Sequence, residues 1–134
     1  MPNIIHKELS YNIVGILFDV YNQLGNGHQE KYYQRAIEEA LREKNFKYKK
    51  ELKIDLKFNE KIIGKYFLDF LIDDKIILEI KAVPKLTPKD FRQVLNYLKT
   101  HNIELGILAN FRGDSLIYKR ILNSEYKCIS INLD

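Results

Sequence analysis

Apolar residues near the start of the chain recur at the spacing of amphipathic helices. The first set is Leu9, Ile13, Ile16, Leu17, Val20 and Leu24. The second set is Tyr33, Ala36, Ile37, Ala40 and Leu41. Spacings of three and four residues place one apolar face along a helix. Gly25 and Gly27 separate the two sets, so the pattern predicts two helices packed against each other as a hairpin.

In the middle of the chain the apolar spacing changes to alternation. The alternating positions are Leu52, Ile54, Leu56 and Phe58. Two further apolar stretches cover about residues 62–72 and 76–83, with turn-forming residues before each of them. A period of two indicates strands, and Pro84 ends the last of them. The pattern predicts an antiparallel meander of three strands over residues 51–83, the first of them half-buried.

The remainder of the chain predicts one more helix and further strands. Thr87 suits the N-cap of a helix over residues 88–100, because Pro88 fits the first helical position. The nearly continuous apolar run at 105–109 predicts a strand covered on both faces. Residues 115–122 are compatible with a strand or a helix, whereas alternation over 128–133 predicts a last strand.

Composition places the chain among globular proteins. It has 134 residues, of which 46% are hydrophobic and 30% charged, which predicts a single domain over residues 1–134. No apolar run approaches the roughly 18 to 20 residues that cross a bilayer, and the first residues lack a signal-peptide layout. We therefore expect a cytoplasmic protein without membrane association. The only cysteine, Cys128, excludes an internal disulfide and is expected to lie in the core.

The charge balance favours anionic partners without requiring them. There are 22 lysines and arginines against 18 acidic residues, a net charge of +4. A basic excess of this size is compatible with nucleic-acid binding and equally with simple solubility. Charge alone therefore does not choose a function.

Two predicted strands carry carboxylates where a strand interior is usually apolar. Asp69 interrupts the second strand, and Glu79 interrupts the third, where alternation places Lys81 on the same face. A loop of three residues at 73–75 would place Asp69 directly across from Glu79, whereas a two-residue loop would place it across from Leu78, on the apolar side. The cost of burying an unpaired acid favours the three-residue loop.

Facing carboxylates suggest a metal site. Two such groups repel each other unless a divalent cation lies between them, and Mg²⁺ commonly takes one or two carboxylates together with water. An ammonium group such as that of Lys81 could orient a water molecule or neutralise charge on a phosphate. The plain alternative is that Asp69 and Glu79 face solvent and that Lys81 forms an ordinary salt bridge.

Three further polar residues are candidates for the same site. Glu30 lies in the first turn of the second helix, on its core-facing side, where a carboxylate suits either a site or the helix dipole. Gln93 and Tyr97 are four residues apart and project from one side of the third helix. A polar stripe of this kind is also typical of a solvated helix face.

Together these residues resemble the motifs of a known nuclease family. Asp69 with the E-x-K sequence at 79–81 resembles the core motif of the PD-(D/E)XK nuclease superfamily, and residues 93–97 resemble the Q-x-x-x-Y motif of its RecB-like branch. Residues 27–33 are similar to the pattern that names the GxxExxY proteins, a bacterial and archaeal family assigned to that superfamily. Leu68 departs from the motif, which has proline there, but leucine suits a strand better.

The resemblance implies a metal-dependent nuclease activity. It implies magnesium-dependent hydrolysis of phosphodiester bonds, in DNA before RNA, with Mn²⁺ as an alternative ion. The implied metal ligands are Asp69, Glu79 and the main-chain carbonyl of Ile80. Lys81 would act on the water or the phosphate.

The resemblance also implies roles outside the metal ligands. Glu30 would be the acid contributed by the early helix, and Gln93 and Tyr97 would support the site or the strand being cut. A rival function stays open, namely a catalytically silent module of the same fold that binds nucleic acid or a protein. So small a chain has little surface for gripping DNA, which leaves a homodimer or a protein partner open.

Element order and resemblance together predict an α/β fold of the restriction-endonuclease-like kind. Its core would have three layers in the order αβα, with a central mixed sheet of about five strands flanked by helices. The helix over 88–100 would connect two parallel strands, since parallel neighbours need a crossover of this length.

Overall fold

The computed structural model describes residues 5–128. In this part of the chain the helices are α1 (Lys7–Leu24), α2 (Glu30–Glu43) and α3 (Pro88–His101). The strands are β1 (Tyr48–Phe58), β2 (Lys61–Ile72), β3 (Ile76–Lys81), β4 (Leu105–Asn110) and β5 (Ile117–Leu122). The sequence left residues 115–122 open between a strand and a helix, and in the structure most of them form strand β5. The strand predicted over 128–133 falls outside the described residues, except for its first position.

The described strands form one mixed sheet in the order β1-β2-β3-β4-β5. Strands β3 and β4 are parallel and are connected through α3, whereas the other neighbouring strands are antiparallel. Helices α1 and α2 pack on one face, where Ile13, Leu17 and Ile37 join a cluster with β3 and β4. Helix α3 covers the other face through Val94 and Leu98. This arrangement confirms the predicted αβα fold.

Local signals fix the helix ends near the predicted positions. Helix α1 stops at Gly25, whose φ of 68° favours glycine. Helix α3 begins after Thr87, whose backbone N–H donates to the Asp90 carboxylate at 2.8 Å. The Asp90 side chain thereby satisfies a backbone N–H group at the start of the helix.

The loop between β2 and β3 has the expected length. The pairs Ile72 with Ile76 and Phe70 with Leu78 require three residues, 73–75, in the loop. Counted away from the loop, regular pairing with β3 ends at Phe70 and does not reach Asp69, the next residue of β2. The three-residue loop is therefore confirmed, and the carboxylates lie just beyond the end of the regular ladder.

Strand β2 rotates at Asp69. Leu68 and Phe70 are two residues apart and should share a face, but Leu68 packs in the α3 cluster and Phe70 packs in the cluster of α1 and α2. Pairing with β1 is interrupted at the same place, where Glu51 adopts a φ of 57°. Asp69 therefore lies at a break in the pairing with both neighbouring strands.

Two expectations about burial are wrong. The first half of β1 is half-buried as predicted, but Leu56 is 51% exposed and Phe58 is 64% exposed, because the far end of the β1–β2 hairpin lies beyond the area that the helices cover. Cys128 is exposed and is not a core residue.

None of the helices within residues 5–128 is both long and apolar enough to cross a membrane.

We expect Gly106→Ala to destabilise the packing of α3 on β4. A Cβ atom at Gly106 would lie 2.6 Å from Val94 Cγ1, on a side chain that is stiff in a helix. Overpacking of this kind costs about 1–3 kcal/mol of unfolding free energy, which a thermal melt would detect. Gly15→Ala is the matched control, because nothing lies within 4 Å of its added Cβ. Equal melting temperatures for the two variants would contradict the close packing at Gly106.

Candidate active site

The carboxylates of Asp69 and Glu79 each bind the backbone of the other strand. The Ile80 N–H donates to Asp69 Oδ2 at 2.7 Å, and the Asp69 N–H donates to Glu79 Oε1 at 3.1 Å. These two bonds replace ladder hydrogen bonds where the regular pairing of β2 with β3 ends. The break in the sheet thus holds two acidic side chains against each other.

Helix α2 contributes two side chains to this point. Gln34 Nε2 donates to Asp69 Oδ1 at 2.8 Å and to Glu30 Oε2 at 3.2 Å. The Glu30 carboxylate also lies near the Ala82 backbone, just after β3. Glu30 therefore lies beside the pair of acids, and Gln34 connects it to Asp69.

Lys81 lies beside Glu79 and also near Asp90. Its Nζ is 3.4 Å from Glu79 Oε2 and 3.9 Å from Asp90 Oδ1, and its side chain is only 20% exposed. Because Asp90 also binds the Thr87 N–H, the carboxylate that begins α3 faces the lysine at the end of β3. The ammonium is thus held between two carboxylates.

Burial raises the pKa values of the three acids, and the negative charge of Asp69 adds to this at Glu79 and Glu30. Burial, followed by the negative charge of Asp69, raises the pKa of Glu79 to about 9. Burial also raises the pKa of Asp69 and of Glu30, against opposing effects that include Lys81. For Lys81, burial acts to lower the pKa, but Glu79, Glu30 and Asp90 outweigh it and raise the pKa. Lys81 is therefore a cation, and ionising both Asp69 and Glu79 is costly without a further positive charge.

The donor atoms here fit a hard divalent cation. Among residues 5–128, no group of three or more His, Cys, Asp or Glu side chains is arranged to hold a metal ion. The side chains available at this point are the two carboxylates of Asp69 and Glu79, beside the main chain of Ile80. Mg²⁺ is commonly bound by one or two carboxylates and keeps several waters, so such a small oxygen donor set suits it.

Gln93 and Tyr97 lie on α3 and form no hydrogen bond with the two carboxylates in the described part of the chain. Among the described residues, the hydrogen bonds to Asp69 and Glu79 come from Gln34 and from backbone N–H groups. Tyr97 is buried and stacks on His101, with ring centroids 4.1 Å apart. The structure therefore brings Glu30, Asp69, Glu79 and Lys81 together and leaves Gln93 and Tyr97 outside this set.

Three residues at the site were not singled out from the sequence. Gln34 has a usable signal, because it lies four residues after Glu30 and thus on the same helix face. Asp90 lies in the first turn of α3, where a carboxylate suits the helix start and gives no further signal. Tyr66 lies near Glu79. Burial and, to a smaller extent, the charge of Glu79 raise the pKa of the Tyr66 hydroxyl.

Comparison with known proteins identifies the family of this chain. A family model described as the PD-(D/E)XK nuclease superfamily matches residues 7–121. The chain belongs to this superfamily. The match spans α1 through most of β5, so this PD-(D/E)XK protein has its described sheet, except for the last residue of β5, inside the family region. Proteins of this superfamily are nucleases, and they generally use divalent metal ions.

One solved structure supports the fold independently. The crystal structure of the protein SSO0001 superposes with a TM-score of 0.51 at 23% sequence identity. The match covers 69% of this PD-(D/E)XK chain and 50% of the SSO0001 chain, so the chain corresponds to about half of that protein. At this identity the likeness concerns the fold. No curated protein matches the sequence.

We expect the metal-free PD-(D/E)XK protein to lose stability as the pH rises, and Glu79→Gln to remove much of that loss. The unfolded chain releases the Glu79 proton near pH 4.5, whereas the folded chain keeps it to about pH 9. Between these values the folded state binds more protons, so the free energy of unfolding falls with rising pH. Thermal melts in a chelator at acidic, neutral and basic pH would measure this slope.

The matched control for this prediction is Glu39→Gln, on the exposed surface of α2. This variant should follow the wild-type slope, since its carboxylate is 62% exposed. A wild-type protein whose melting temperature stays constant over the whole range would contradict the raised pKa of Glu79.

Proposed function

We propose that this protein is a magnesium-dependent nuclease that hydrolyses phosphodiester bonds of DNA. The observation that carries the proposal is the pairing of Asp69 and Glu79 at a break in the sheet, with the Lys81 ammonium 3.4 Å from Glu79. Two adjacent carboxylates that repel each other favour a cation between them. A lysine beside them favours an anionic substrate. Superfamily membership supports the same chemistry.

In this proposal, residues of the chain bind the metal ion, orient the water and neutralise charge on the phosphate. Asp69, Glu79 and the Ile80 carbonyl would bind Mg²⁺, or Mn²⁺ in its place. When bound, the ion would polarise a phosphate oxygen and make a coordinated water more acidic. Lys81, kept positively charged by its acidic neighbours, would donate hydrogen bonds to the water or the phosphate.

The neighbouring residues would position this machinery. Gln34 would hold the Asp69 carboxylate in place from α2, and Glu30, which accepts a hydrogen bond from Gln34, would be the acid contributed by the early helix. Gln93 and Tyr97 form no hydrogen bond with the acids within residues 5–128 and would instead support the strand being cut. The net charge of +4 favours a polyanionic substrate, with DNA proposed before RNA.

The first test is cleavage of supercoiled plasmid with Mg²⁺, with Mn²⁺ and with a chelator. We expect metal-dependent nicking by the wild type and none by Asp69→Asn, which keeps the shape of the side chain and removes its charge. Mg²⁺ should raise the melting temperature of the wild type only, since an ion that binds the folded state stabilises it. Metal-independent binding of DNA without any cleavage would instead identify a silent binding module.

We expect Lys81→Met to separate metal binding from catalysis. The substitution keeps an unbranched stem and removes a charge that acts on water or phosphate, so cleavage should fall roughly 100-fold. The rise in melting temperature with Mg²⁺ should persist, because the ammonium does not touch the ion. Lys119→Met, on the exposed surface of β5, is the control and should cleave normally. Loss of the magnesium effect in Lys81→Met would contradict the role given to the lysine.

A further inference from the structure

The two faces of the β1–β2 hairpin differ in chemistry. Leu52 and Ile54 pack against the α3 cluster, so the hairpin is apolar on that face. Lys53, Asp55 and Lys57 alternate with them along β1 and therefore point to the opposite face, the one that carries α1 and α2. Charged side chains of β1 are thus gathered on the α2 side of the sheet.

Strand β2 extends this charged face beyond the area that the helices cover. Lys65 is the register partner of Asp55 and lies two residues from Phe67, so the three side chains share one face. The Lys65 ammonium lies 5.9 Å from the centre of the Phe67 ring, in agreement with that placement. Phe67 is 48% exposed, whereas Phe70 is buried in the cluster of α1 and α2. The cover of the helices therefore ends between these two residues.

Helix α2 borders the same face with two more cations. Lys31 and Arg35 lie one turn apart on its exposed side and approach the ring of Tyr32, at 5.2 and 5.6 Å from its centre. Together with Lys50 and Asp69 they line a cleft of about 270 Å³ between α2 and the start of the hairpin. The cations therefore continue up to the first acid of the candidate active site.

The charge of this surface is predominantly positive. Its six cations, here called the basic face, are Lys31, Arg35, Lys50, Lys53, Lys57 and Lys65. Apart from Asp69, the carboxylates among them are Glu38, which pairs with Lys50 at 3.2 Å, Asp55, which pairs with Lys53 at 3.5 Å, and Glu51. Within residues 5–128 the cations without a carboxylate partner are Lys31, Arg35, Lys57 and Lys65. The basic face therefore keeps an excess of positive charge.

This pattern fits the phosphates of a nucleic acid better than its bases. Unpaired cations beside a predicted phosphodiesterase site complement a polyanionic backbone. The exposed rings, Tyr32 and Phe67, already have cations over them, so they offer no open ring for a base to stack on. Contacts to phosphates alone leave the bases paired, and they position a duplex without reading its sequence.

We propose that the basic face binds the phosphate backbone of duplex DNA and leads it along the hairpin to Asp69. The proposal rests on the proposed nuclease function, because it assigns the substrate-binding surface of that same site. It gives the α2 side of the sheet the role of holding substrate, and it gives the α3 side of the hairpin none. Binding through this surface should be independent of sequence and strongly dependent on salt.

The test measures binding without cleavage, by fluorescence anisotropy of a labelled blunt duplex in a chelator. The variant is the double substitution Arg35→Gln with Lys65→Gln, which removes one unpaired cation from α2 and one from the hairpin. We expect about ten-fold weaker binding, since exposed ion pairs contribute up to about five-fold each. The slope of log affinity against log salt should fall by about 1.8, because each lost phosphate contact removes about 0.9.

The matched control is Lys99→Gln with Lys119→Gln, which makes the same change in net charge on the α3 side. Lys99 lies on α3, and Lys119 is the register partner of Leu108, which packs in the α3 cluster. The control should keep the wild-type slope. Equal losses of affinity and slope in the two double variants would reduce the effect to net charge and overturn the proposal.

Two competitors test the identity of the occupant. An unlabelled single strand of the same sequence should displace the labelled duplex less well than unlabelled duplex does, and so should polyglutamate of equal charge. A single strand that competes better than duplex would overturn the assignment to duplex DNA. Polyglutamate that competes as well as duplex would indicate an acidic protein as the occupant and would also overturn it.

These outcomes are independent of the nuclease test. A protein that binds duplex through Arg35 and Lys65 but never cleaves with Mg²⁺ or Mn²⁺ would retain the basic face as a binding surface and lose the proposed catalysis. A protein that cleaves, but whose Arg35 and Lys65 double variant binds duplex as the control does, would retain the catalysis and lose the binding surface.

Discussion

Two carboxylates buried side by side on adjacent strands are the constraint around which the rest of this molecule is arranged. A regular antiparallel ladder would have no free N–H groups for them, because its own carbonyls would accept those hydrogen bonds. Here the ladder ends at Phe70, and the Asp69 and Glu79 side chains accept the bonds that backbone carbonyls would otherwise take. The regularity of the sheet is thus given up at one point to hold charge that is costly to bury.

The surrounding elements then compensate for that cost from two sides. Helix α2 brings an amide to Asp69, and the junction of β3 with α3 brings an ammonium to Glu79. Asp90 belongs to both the start of α3 and the environment of Lys81, so the same side chain serves folding and electrostatics. The compensation is incomplete, since burial keeps the pKa values of both acids raised and the charge of Asp69 raises that of Glu79 further, and a bound cation would offset both effects.

Most of the fold could be predicted from residue spacing, whereas part of the site could not. Helical stripes and strand alternation are local properties, and the loop at 73–75 followed from the cost of an unpaired acid. The rotation of β2 at Asp69 violates the alternation rule itself, so no reading of period two could find it. Gln34 and Asp90 act on residues distant in sequence, and the exposed end of the hairpin depends on where the helices stop. Motif spacing identified the acids and the lysine because their chemistry constrains residue type.

Gly106 has a consequence beyond the packing of one helix. The missing side chain lets Val94 approach the backbone of β4, which sets how far α3 stands above the sheet. Tyr97 lies one turn further along the same helix and, with Ile54 and Tyr66, lines an opening of about 550 Å³ between α3 and the β1–β2 hairpin. The width of that opening is therefore determined by an absent methyl group, and a larger residue at position 106 would alter the spacing between helix and hairpin without touching any residue that lines it.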